Sequence, residues 1–429
     1  MRGFQVTLHK VITKCLELMK NLFLAFMLCL LSSEAFPQNS VFDCIVAQDG
    51  TGNFATIQDA IDNAPKNSPC PYTILIKSGH YHEHVYIPED KPRLFLIGED
   101  RNRVRLSDDR VSGGPNGCPV DVAATLVSHA TDGYFTGITF ENSWGTRNND
   151  GPQALALYTK RDRTIVNNCA MLSFQDTYRT ANVKDERNYV KDCLIEGAID
   201  FIYGQGNVFF DHCTLNIVLR DSGFIVAPKH DEGTEWGYVF RNTTITAPGN
   251  PAETRVWLGR PWLHAPKAVF IDTRTEVTIP DEGWFDHMAS IPAVYADYNT
   301  TDGNGKPLDL SRRTSMYYKI SEQGDTIRGR AKNRLTPEEA ALHTAGNVLS
   351  GTDNWDPMPF CELPGAPDVQ FKGNKITWTP VKDARGYAIR HNGIITALTT
   401  SLEYETADDP RNYDVAAVGK YGNLSRPAK

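Results

Sequence analysis

The stretch Val190-Lys191-Asp192-Cys193 is one copy of a repeat that decides the fold of this 429-residue chain. Each copy contains a bulky apolar residue, a spacer, an Asn, Asp or His, and a small residue that is usually Cys or Thr. Successive copies lie 20 to 30 residues apart. A repeat of this length, formed by short strands, is typical of a solenoid. In chain order the copies are Phe140-Glu141-Asn142-Ser143, Val166-Asn167-Asn168-Cys169, Val190-Lys191-Asp192-Cys193, Phe210-Asp211-His212-Cys213, Phe240-Arg241-Asn242-Thr243 and a weaker Phe270-Ile271-Asp272-Thr273.

Short runs of β-branched and aromatic residues recur along the same region, with turn residues between them. We therefore predict an all-β chain whose main part is a right-handed parallel β-helix, with loops of unequal length leaving its corners. Residues 56–64 have helical periodicity, and we expect Thr56 to begin this helix as its N-cap. Such a helix would cover the open end of the solenoid core. The strand-like runs span residues 72–76, 94–97, 154–158, 207–210, 223–226 and 268–271.

The composition is that of a folded globular protein, and the N-terminal segment is that of an exported one. Hydrophobic residues make up 41% of the chain and charged residues 22%, as in ordinary globular proteins. The net charge of −8 argues against nucleic acid as a partner, although a local basic cleft can still bind an acidic polymer.

The N-terminal segment is typical of a secretory signal: it contains Lys20, the apolar run 22–31 and small residues up to Ala35. We expect residues 1–37 to be a signal peptide that starts at Met1 or Met19. No later stretch is predicted to span a membrane, so the mature chain is expected to be secreted, either outside the cell or into a periplasm.

Two carboxylates occupy the same position in successive copies of the repeat. Asp176 lies seven residues after Cys169, and Asp200 lies seven residues after Cys193. If each copy is one coil, these carboxylates are stacked neighbours at the spacing of paired strands, about 4.7–4.9 Å. Two carboxylates that close cannot both ionise freely, so one is expected to act as an acid and the other as a base.

Other polar and aromatic residues are candidates for the surroundings of this pair. Gln175 directly precedes Asp176, and Gln153 opens the preceding strand-like run; their amides can stabilise an oxyanion without adding charge. Arg260 offers a rigid fork that can hold Asp200 ionised. Trp262 and Tyr203 offer flat faces on which a sugar ring can stack.

The cysteines leave two interpretations open. Cys169, Cys193 and Cys213 share one repeat position and should form a column. Export permits disulfides, so a bond between Cys193 and Cys213 is one prediction; three buried thiols are the alternative.

No metal or cofactor is expected from the sequence. No Cys-x-x-Cys pair is present, and nothing resembles a zinc site. His80, His82 and His84 alternate along a strand. We interpret them as solvated or hydrogen-bonded rather than as metal ligands.

A change of character near residue 361 indicates a second domain. Residues 364–367 (Pro-Gly-Ala-Pro) are typical of a linker. Short alternating strands follow, with a lone Trp378 and a late Tyr413, and they indicate a small β-sandwich similar to a fibronectin type III module. We therefore divide the chain into a signal peptide (1–37), a β-helix (38–360) and a sandwich (361–429).

Five blocks of the chain, in order, resemble the signature blocks of pectin methylesterases. They fall within residues 40–360, and the agreement of five blocks is far more specific than that of one. With the fused C-terminal sandwich, the chain resembles a bacterial member of that family. The blocks are Gly79-His80-Tyr81-His82-Glu83, Gln153-Ala154-Leu155-Ala156-Leu157, Phe174-Gln175-Asp176-Thr177-Tyr178, Gly197-Ala198-Ile199-Asp200-Phe201-Ile202-Tyr203-Gly204 and Leu258-Gly259-Arg260-Pro261-Trp262.

The resemblance implies secretion, no cofactor, and hydrolysis of methyl esters on pectin, that is, methylated homogalacturonan; we expect the enzyme to act as a monomer. It implies Asp200 as nucleophile and Asp176 as acid/base, with Gln153 and Gln175 at the oxyanion and Arg260 orienting Asp200. The substrate-binding set it implies is Ser143, which replaces a Thr, together with Gln153, Tyr203, Arg260 and Trp262. Residues 203–207 and 178–188 depart from the family pattern. These departures bear on the substrate preference and not on the reaction.

Other functions remain as alternatives. A retaining glycoside hydrolase also uses two carboxylates about 5 Å apart, and a solenoid fold alone does not decide function. A polysaccharide-binding solenoid without turnover, or an esterase for another acyl substrate, are further alternatives. The paired glutamines favour an oxyanion and therefore an ester.

Overall fold

The computed structural model of the chain describes residues 41–113 and 117–427. The predicted signal peptide lies outside these residues. Three parallel sheets run along the main domain, and the coils in its middle contribute one strand to each sheet. The parallel β-helix predicted from the repeat is therefore present.

The first sheet has eleven strands: Cys44–Val46, Tyr72–Ile76, Leu94–Gly98, Tyr134–Thr136, Thr164–Asn167, Arg187–Lys191, Asn207–Asp211, Tyr238–Arg241, Lys267–Ile271, Val294–Tyr298 and Lys332–Arg334. The second sheet has nine: Gly79–His82, Val104–Asp108, Thr139–Asn142, Ala170–Leu172, Leu194–Gly197, Thr214–Ile217, Thr244–Thr246, Arg274–Thr275 and Thr301–Asp302. The third sheet has seven: Val85–Ile87, Leu126–Ser128, Leu157–Thr159, Tyr178–Arg179, Ile199–Gly204, Gly223–Pro228 and Val256–Gly259.

The repeat forms the corner between the first and second sheets. Its third residue adopts a left-handed backbone conformation in five coils, with φ between 48° and 53° at Asn168, Asp192, His212, Asn242 and Asp272. Asn and Asp tolerate this conformation best among residues with a side chain, which explains their recurrence. The first residue of the unit points into the core: the Phe210, Phe240 and Phe270 rings stack at centroid distances of 4.2 and 4.3 Å.

The first predicted copy of the repeat, residues 140–143, is out of register. Strand pairing aligns Thr136 with Asn167 and Thr139 with Ala170. The residue that corresponds to Asn168 is therefore Gly137, which also has a positive φ, of 70°. Asn142 instead caps the helix Ser143–Asn148. A glycine can replace Asn at this corner because it too adopts the left-handed conformation. The copy of the repeat that contains Gly137 therefore cannot be recognised by its side chains.

The Cys193–Cys213 disulfide prediction is wrong, because both residues are free thiols, as is Cys169. All three are buried in one column, as the alternative interpretation expected. The Cys193 thiol donates to Lys191 O (3.2 Å) and the Cys213 thiol to Val190 O (3.4 Å). The sulfur atoms are thus turned towards backbone carbonyls of their own or the preceding coil, and not towards each other.

The predicted N-terminal cap is confirmed as the helix Ile57–Asn63, in which the Thr56 side chain accepts a hydrogen bond from Asp59 N. Glu83 fixes this helix to the next coil, because its carboxylate accepts from the backbone amides of Ile57 and Gln58 at 2.8 and 3.0 Å. Among the described residues the other α-helices are Ser143–Asn148, Pro337–Leu342, Ala345–Leu349 and Met358–Cys361, and the 3-10 helices are Val120–Val122, Pro251–Glu253, Leu310–Arg312 and Pro410–Asn412.

The C-terminal strands form two antiparallel sheets that pack against the β-helix. Tyr134 Oη donates to Asn423 Oδ1 at 2.5 Å, and Asn423 Nδ2 donates to Phe360 O at 2.6 Å. Val418 joins the hydrophobic cluster that covers the outer face of the first sheet. One sheet contains Val369–Lys372, Lys375–Trp378 and Glu403–Glu405, and the other contains Ile394–Thr399, Gly386–His391 and Tyr413–Val418. Another small sheet follows the last strand of the third β-helix sheet along the chain. It contains His287–Met288, Met316–Ile320 and Thr326–Arg330.

Candidate active site

Strand register places Asp176 and Asp200 opposite each other on adjacent coils of the third sheet. Gln175 pairs with Ile199 and Tyr178 pairs with Ile202, so the residue facing Asp176 is Asp200. Both have a positive φ, 62° and 51° respectively, which marks the same turn in both coils. At the spacing of paired strands, the two backbones are about 4.8 Å apart. The predicted pair is therefore brought together.

The two carboxylates differ in their partners. Arg260 donates two hydrogen bonds to Asp200, from Nε to Oδ1 at 2.8 Å and from Nη2 to Oδ2 at 2.5 Å. Asp176 has no ion pair of this kind among the described residues. Both side chains are buried, at 8% exposure for Asp176 and 7% for Asp200.

These surroundings separate the acid–base behaviour of the pair. Burial raises the pKa of Asp176 well above its ordinary value, and the neighbouring Asp200 carboxylate raises it further, against the opposing effect of Arg260. Burial also raises the pKa of Asp200, but the Arg260 hydrogen bonds oppose that rise directly. Asp176 is therefore the protonated member of the pair, and Asp200 is the ionised member.

Arg260 is held in place from two sides. It follows the strand Val256–Gly259, and its guanidinium lies 4.4 Å from the centroid of the Phe224 ring. Its backbone carbonyl accepts a hydrogen bond from Tyr295 Oη at 2.8 Å. A stacked guanidinium whose main chain is tethered keeps a fixed direction, so the two hydrogen bonds from Arg260 hold the Asp200 carboxylate in one orientation.

Gln153 and Gln175 flank the site with amides that remain available. Both side chains are half-buried, and in the described part of the chain neither side-chain amide has a hydrogen-bond partner. Each lies close to a glycine: a Cβ at Gly113 would come within 3.0 Å of Gln153 Oε1, and one at Gly151 within 3.0 Å of Gln175 Oε1. The glycines leave room for the amides, and two uncommitted amides suit the binding of a developing oxyanion.

The other predicted residues lie around the pair in different roles. Trp262 is half-buried, with its ring centroid 5.7 Å from that of Tyr203. Tyr203 is only 3% exposed, so it supports Trp262 and does not offer a sugar-stacking face of its own. Its hydroxyl faces Asp176 and lowers the pKa of that carboxyl, but the contact falls short of regular hydrogen-bond geometry.

Ser143 lies on a helix that packs against the segment before Asp176. It begins the helix Ser143–Asn148, which packs so closely on the segment before Asp176 that a Cβ at Gly145 would come 2.1 Å from Ser173 Oγ. The Ser143 hydroxyl donates to Asp108 O at 3.2 Å, so it is engaged with the protein and not turned to the aspartates.

Sequence reasoning missed Arg179, a buried cation beside the pair. Arg179 lowers the pKa of Asp176 and lies on the outer face of the third sheet, between the rings of Tyr158 (4.4 Å) and Tyr203 (5.8 Å). Its Nη1 donates to Asp121 Oδ1 at 2.7 Å. The only signal available in the sequence was its position three residues after Asp176.

The two segments that depart from the family pattern contact each other. Gln205 Nε2 donates to Asn182 O at 2.9 Å, and Thr180 Oγ1 donates to Gln205 O at 2.8 Å. Gly204 and Gly206 have positive φ, of 117° and 86°, which lets the chain turn back against this loop. The two departing segments therefore pack against each other next to Tyr203.

Within residues 41–113 and 117–427, no three His, Cys, Asp or Glu side chains come together as ligands for a metal ion. His80 Nε2 and His82 Nδ1 lie 2.7 and 3.1 Å from Ser107 Oγ, within hydrogen-bond distance. Across the same residues, no helix has the length and apolar character needed to cross a bilayer.

Comparison with known proteins gives consistent matches. The sequence profile of the family described as Pectinesterase matches residues 43–327. A pectinesterase of Petunia integrifolia is 27% identical over 334 residues, which is 74% of this chain and 82% of that protein. Pectinesterase 31 of Arabidopsis thaliana is 32% identical over 253 residues, 56% of this chain and 75% of that protein. Pectin methylesterase from carrot is structurally similar, with a TM-score of 0.59 at 24% identity, over 73% of this chain and 94% of that one. This last likeness concerns the fold, and it confirms the right-handed parallel β-helix.

Proposed function

Because the chain belongs to the pectinesterase family and is an ester hydrolase of that family, we propose that it removes methyl esters from galacturonate units of pectin by attack of Asp200. One observation carries the residue assignment: Arg260 holds Asp200 with two hydrogen bonds, while Asp176 faces it from the next coil without such a partner. An ionised nucleophile beside a protonated acid is what ester cleavage at neutral pH requires.

In the proposed first half-reaction, an Asp200 oxygen attacks the ester carbonyl carbon with a lone pair that Arg260 does not use. The oxyanion that forms accepts hydrogen bonds from the Gln153 and Gln175 amides. Asp176 gives its proton to the methoxy oxygen, and the carbon–oxygen bond breaks to release methanol. The product on the protein is an anhydride between Asp200 and the galacturonate carboxyl group.

In the proposed second half-reaction, water attacks the same galacturonate carbonyl. Asp176, now ionised, takes a proton from that water. The anhydride bond breaks, which frees the galacturonic acid and restores Asp200 as a carboxylate. Asp176 ends protonated, so the site returns to its starting state without any other reactant.

Trp262 is proposed to stack on a sugar ring beside the scissile ester, with Tyr203 supporting it from below. Ser143 and the half-buried glutamines would border the same groove. Because the substrate is a cell-wall polysaccharide, we also propose that the chain is exported by means of residues 1–37.

Methanol released from highly methylated pectin tests the proposed activity, and new reducing ends test the glycoside hydrolase alternative. We expect methanol from the native chain and no increase in reducing ends. The Asp200→Asn variant should lose methanol release by at least about 1000-fold, because an amide cannot form the anhydride.

Asp192→Asn is the matched control for this variant. Asp192 also has a left-handed backbone, with φ of 52°, but it lies at an exposed corner beside Lys191. It should keep full activity. Reducing ends without methanol would refute the proposal, and full activity of Asp200→Asn would refute the role of this residue.

A further inference from the structure

Lys229 places a positive charge beside Trp262 without an anionic partner. Its ammonium nitrogen lies 6.0 Å from the centroid of the Trp262 ring, and its side chain is half-buried. Within the described residues, its ammonium group forms no salt bridge. Burial lowers the pKa of Lys229, and the nearby Arg179 lowers it further. A desolvated cation that the protein itself does not neutralise indicates a negatively charged ligand.

Arg179 adds a second cation behind Lys229 on the same outer face of the third sheet. Arg179 pairs in register with Tyr203, and Tyr203 with Ala227, two residues before Lys229. Asp121 binds Nη1 of Arg179, whereas Nε of Arg179 is buried without a partner. The positive charge of this region is therefore only partly compensated.

The acidic groups nearest to Lys229 do not compensate it. Asp121 and Asp231 raise its pKa from a distance, but Asp121 is bonded to Arg179 and Asp231 lies 3.7 Å from His264 Nε2. The whole chain carries a net charge of −8. The overall charge thus has the same sign as a polyanionic substrate, and a local pair of cations has a large effect on how that substrate binds.

From this geometry we propose that Lys229, backed by Arg179, binds the ionised carboxylate of a galacturonate unit adjacent to the one whose ester is cleaved. The proposal rests on the proposed function, because it places that sugar on Trp262. A methyl ester at this position cannot accept a charge-assisted hydrogen bond of the same strength as a carboxylate. The enzyme then favours esters next to a free acid, so each cleavage creates the preferred neighbour for the next one.

The test compares two galacturonate hexasaccharides, one fully methylated and one with some carboxyl groups free. The measured quantity is the ratio of kcat/KM for methanol release from the second to that from the first, at low salt. For the native chain we expect a ratio of about ten, the order of effect of a partly buried ion pair. Added salt should reduce this ratio because it screens the charges.

Lys229→Met should bring the ratio close to one, whereas Lys229→Arg should retain it because the charge is retained. The matched control is Lys420→Met: Lys420 also lies over an aromatic ring, 5.1 Å from the Tyr421 centroid, but it is in the C-terminal module. This control should keep the native ratio. A thermal melt of each variant checks that it is folded, and Lys229→Gln replaces Lys229→Met if the latter does not fold.

A native ratio near one, or an unchanged ratio in folded Lys229→Met, would overturn the inference alone, since methanol would still be released. Absence of methanol from both oligosaccharides would overturn the proposed function and the inference with it. The two failures are therefore distinguishable in one set of assays.

Discussion

Arg260 and Asp200 form a two-bond ion pair, with N–O distances of 2.8 and 2.5 Å, that fixes which member of the aspartate pair is charged. Asp176 faces the same carboxylate from the adjacent coil and is almost as deeply buried. Since only one of the two has a guanidinium partner, equal burial leads to unequal protonation. The proposed division between nucleophile and acid thus depends on one arginine, which follows Asp200 by 60 residues.

The rate of methanol release should follow a bell-shaped curve in pH. Activity needs Asp200 ionised, so it falls as pH drops through the lower apparent pKa of the pair. It needs Asp176 protonated, and because burial and the Asp200 charge raise the pKa of Asp176, activity is lost only as pH rises through the higher one. Initial rates at constant ionic strength across the pH range check this, and a rate that is flat from acid to alkaline pH would contradict the paired roles.

Asp176→Asn should stabilise the fold at alkaline pH while it removes activity. A carboxyl group whose pKa is raised by folding contributes stability below its unfolded pKa, and this contribution is lost as pH rises through the folded pKa. The amide has no charge to desolvate. We therefore expect the free energy of unfolding at pH 8 to exceed that of the native chain by about 1–3 kcal/mol, with little difference at pH 4. Urea melts at both pH values measure this, and a variant less stable at pH 8 would argue against a protonated Asp176.

Arg260→Lys should lower kcat by about 100-fold and shift the acidic limb of the pH profile to higher pH. Lysine keeps the charge but cannot form the fork, so it opposes the burial of Asp200 less strongly and the pKa of Asp200 rises. The pH dependence of kcat measures both effects.

Arg390→Lys is the control for this substitution, because Arg390 Nε donates to Asp414 Oδ1 at 2.6 Å in the C-terminal module. It should leave the profile unchanged. An Arg260→Lys profile with an unmoved acidic limb would show that Arg260 does not set the charge of Asp200.

Cys193 and Cys213 should both react with an alkylating reagent after denaturation without a reductant. In the folded chain they should resist it, because burial raises the pKa of Cys213 to about 12 and that of Cys193 well above its ordinary value. Peptide mass spectrometry of native and denatured samples measures both. Protection of the two residues from alkylation after denaturation would restore the disulfide that the structure contradicts.

The sequence by itself determined the solenoid and the register of its aspartate pair. Asn and Asp recur at one corner because a left-handed turn admits few other residues. A fixed offset of seven residues from the Cys that follows this corner residue carries Asp176 and Asp200 to the same place in two coils. A local rule repeated along the chain is readable without coordinates. It failed at residues 140–143, because Gly137 satisfies the same turn without the expected side chain.

The tertiary structure alone decided which groups surround the pair and what they do there. Arg179, Lys229 and Asp121 meet through strand stacking and a loop, at separations that no repeat encodes. The cysteine column was predictable, but the direction of each sulfur atom depends on the backbone carbonyls of neighbouring coils. Protonation likewise follows from burial and from charges in three dimensions, so it cannot be read from the order of residues.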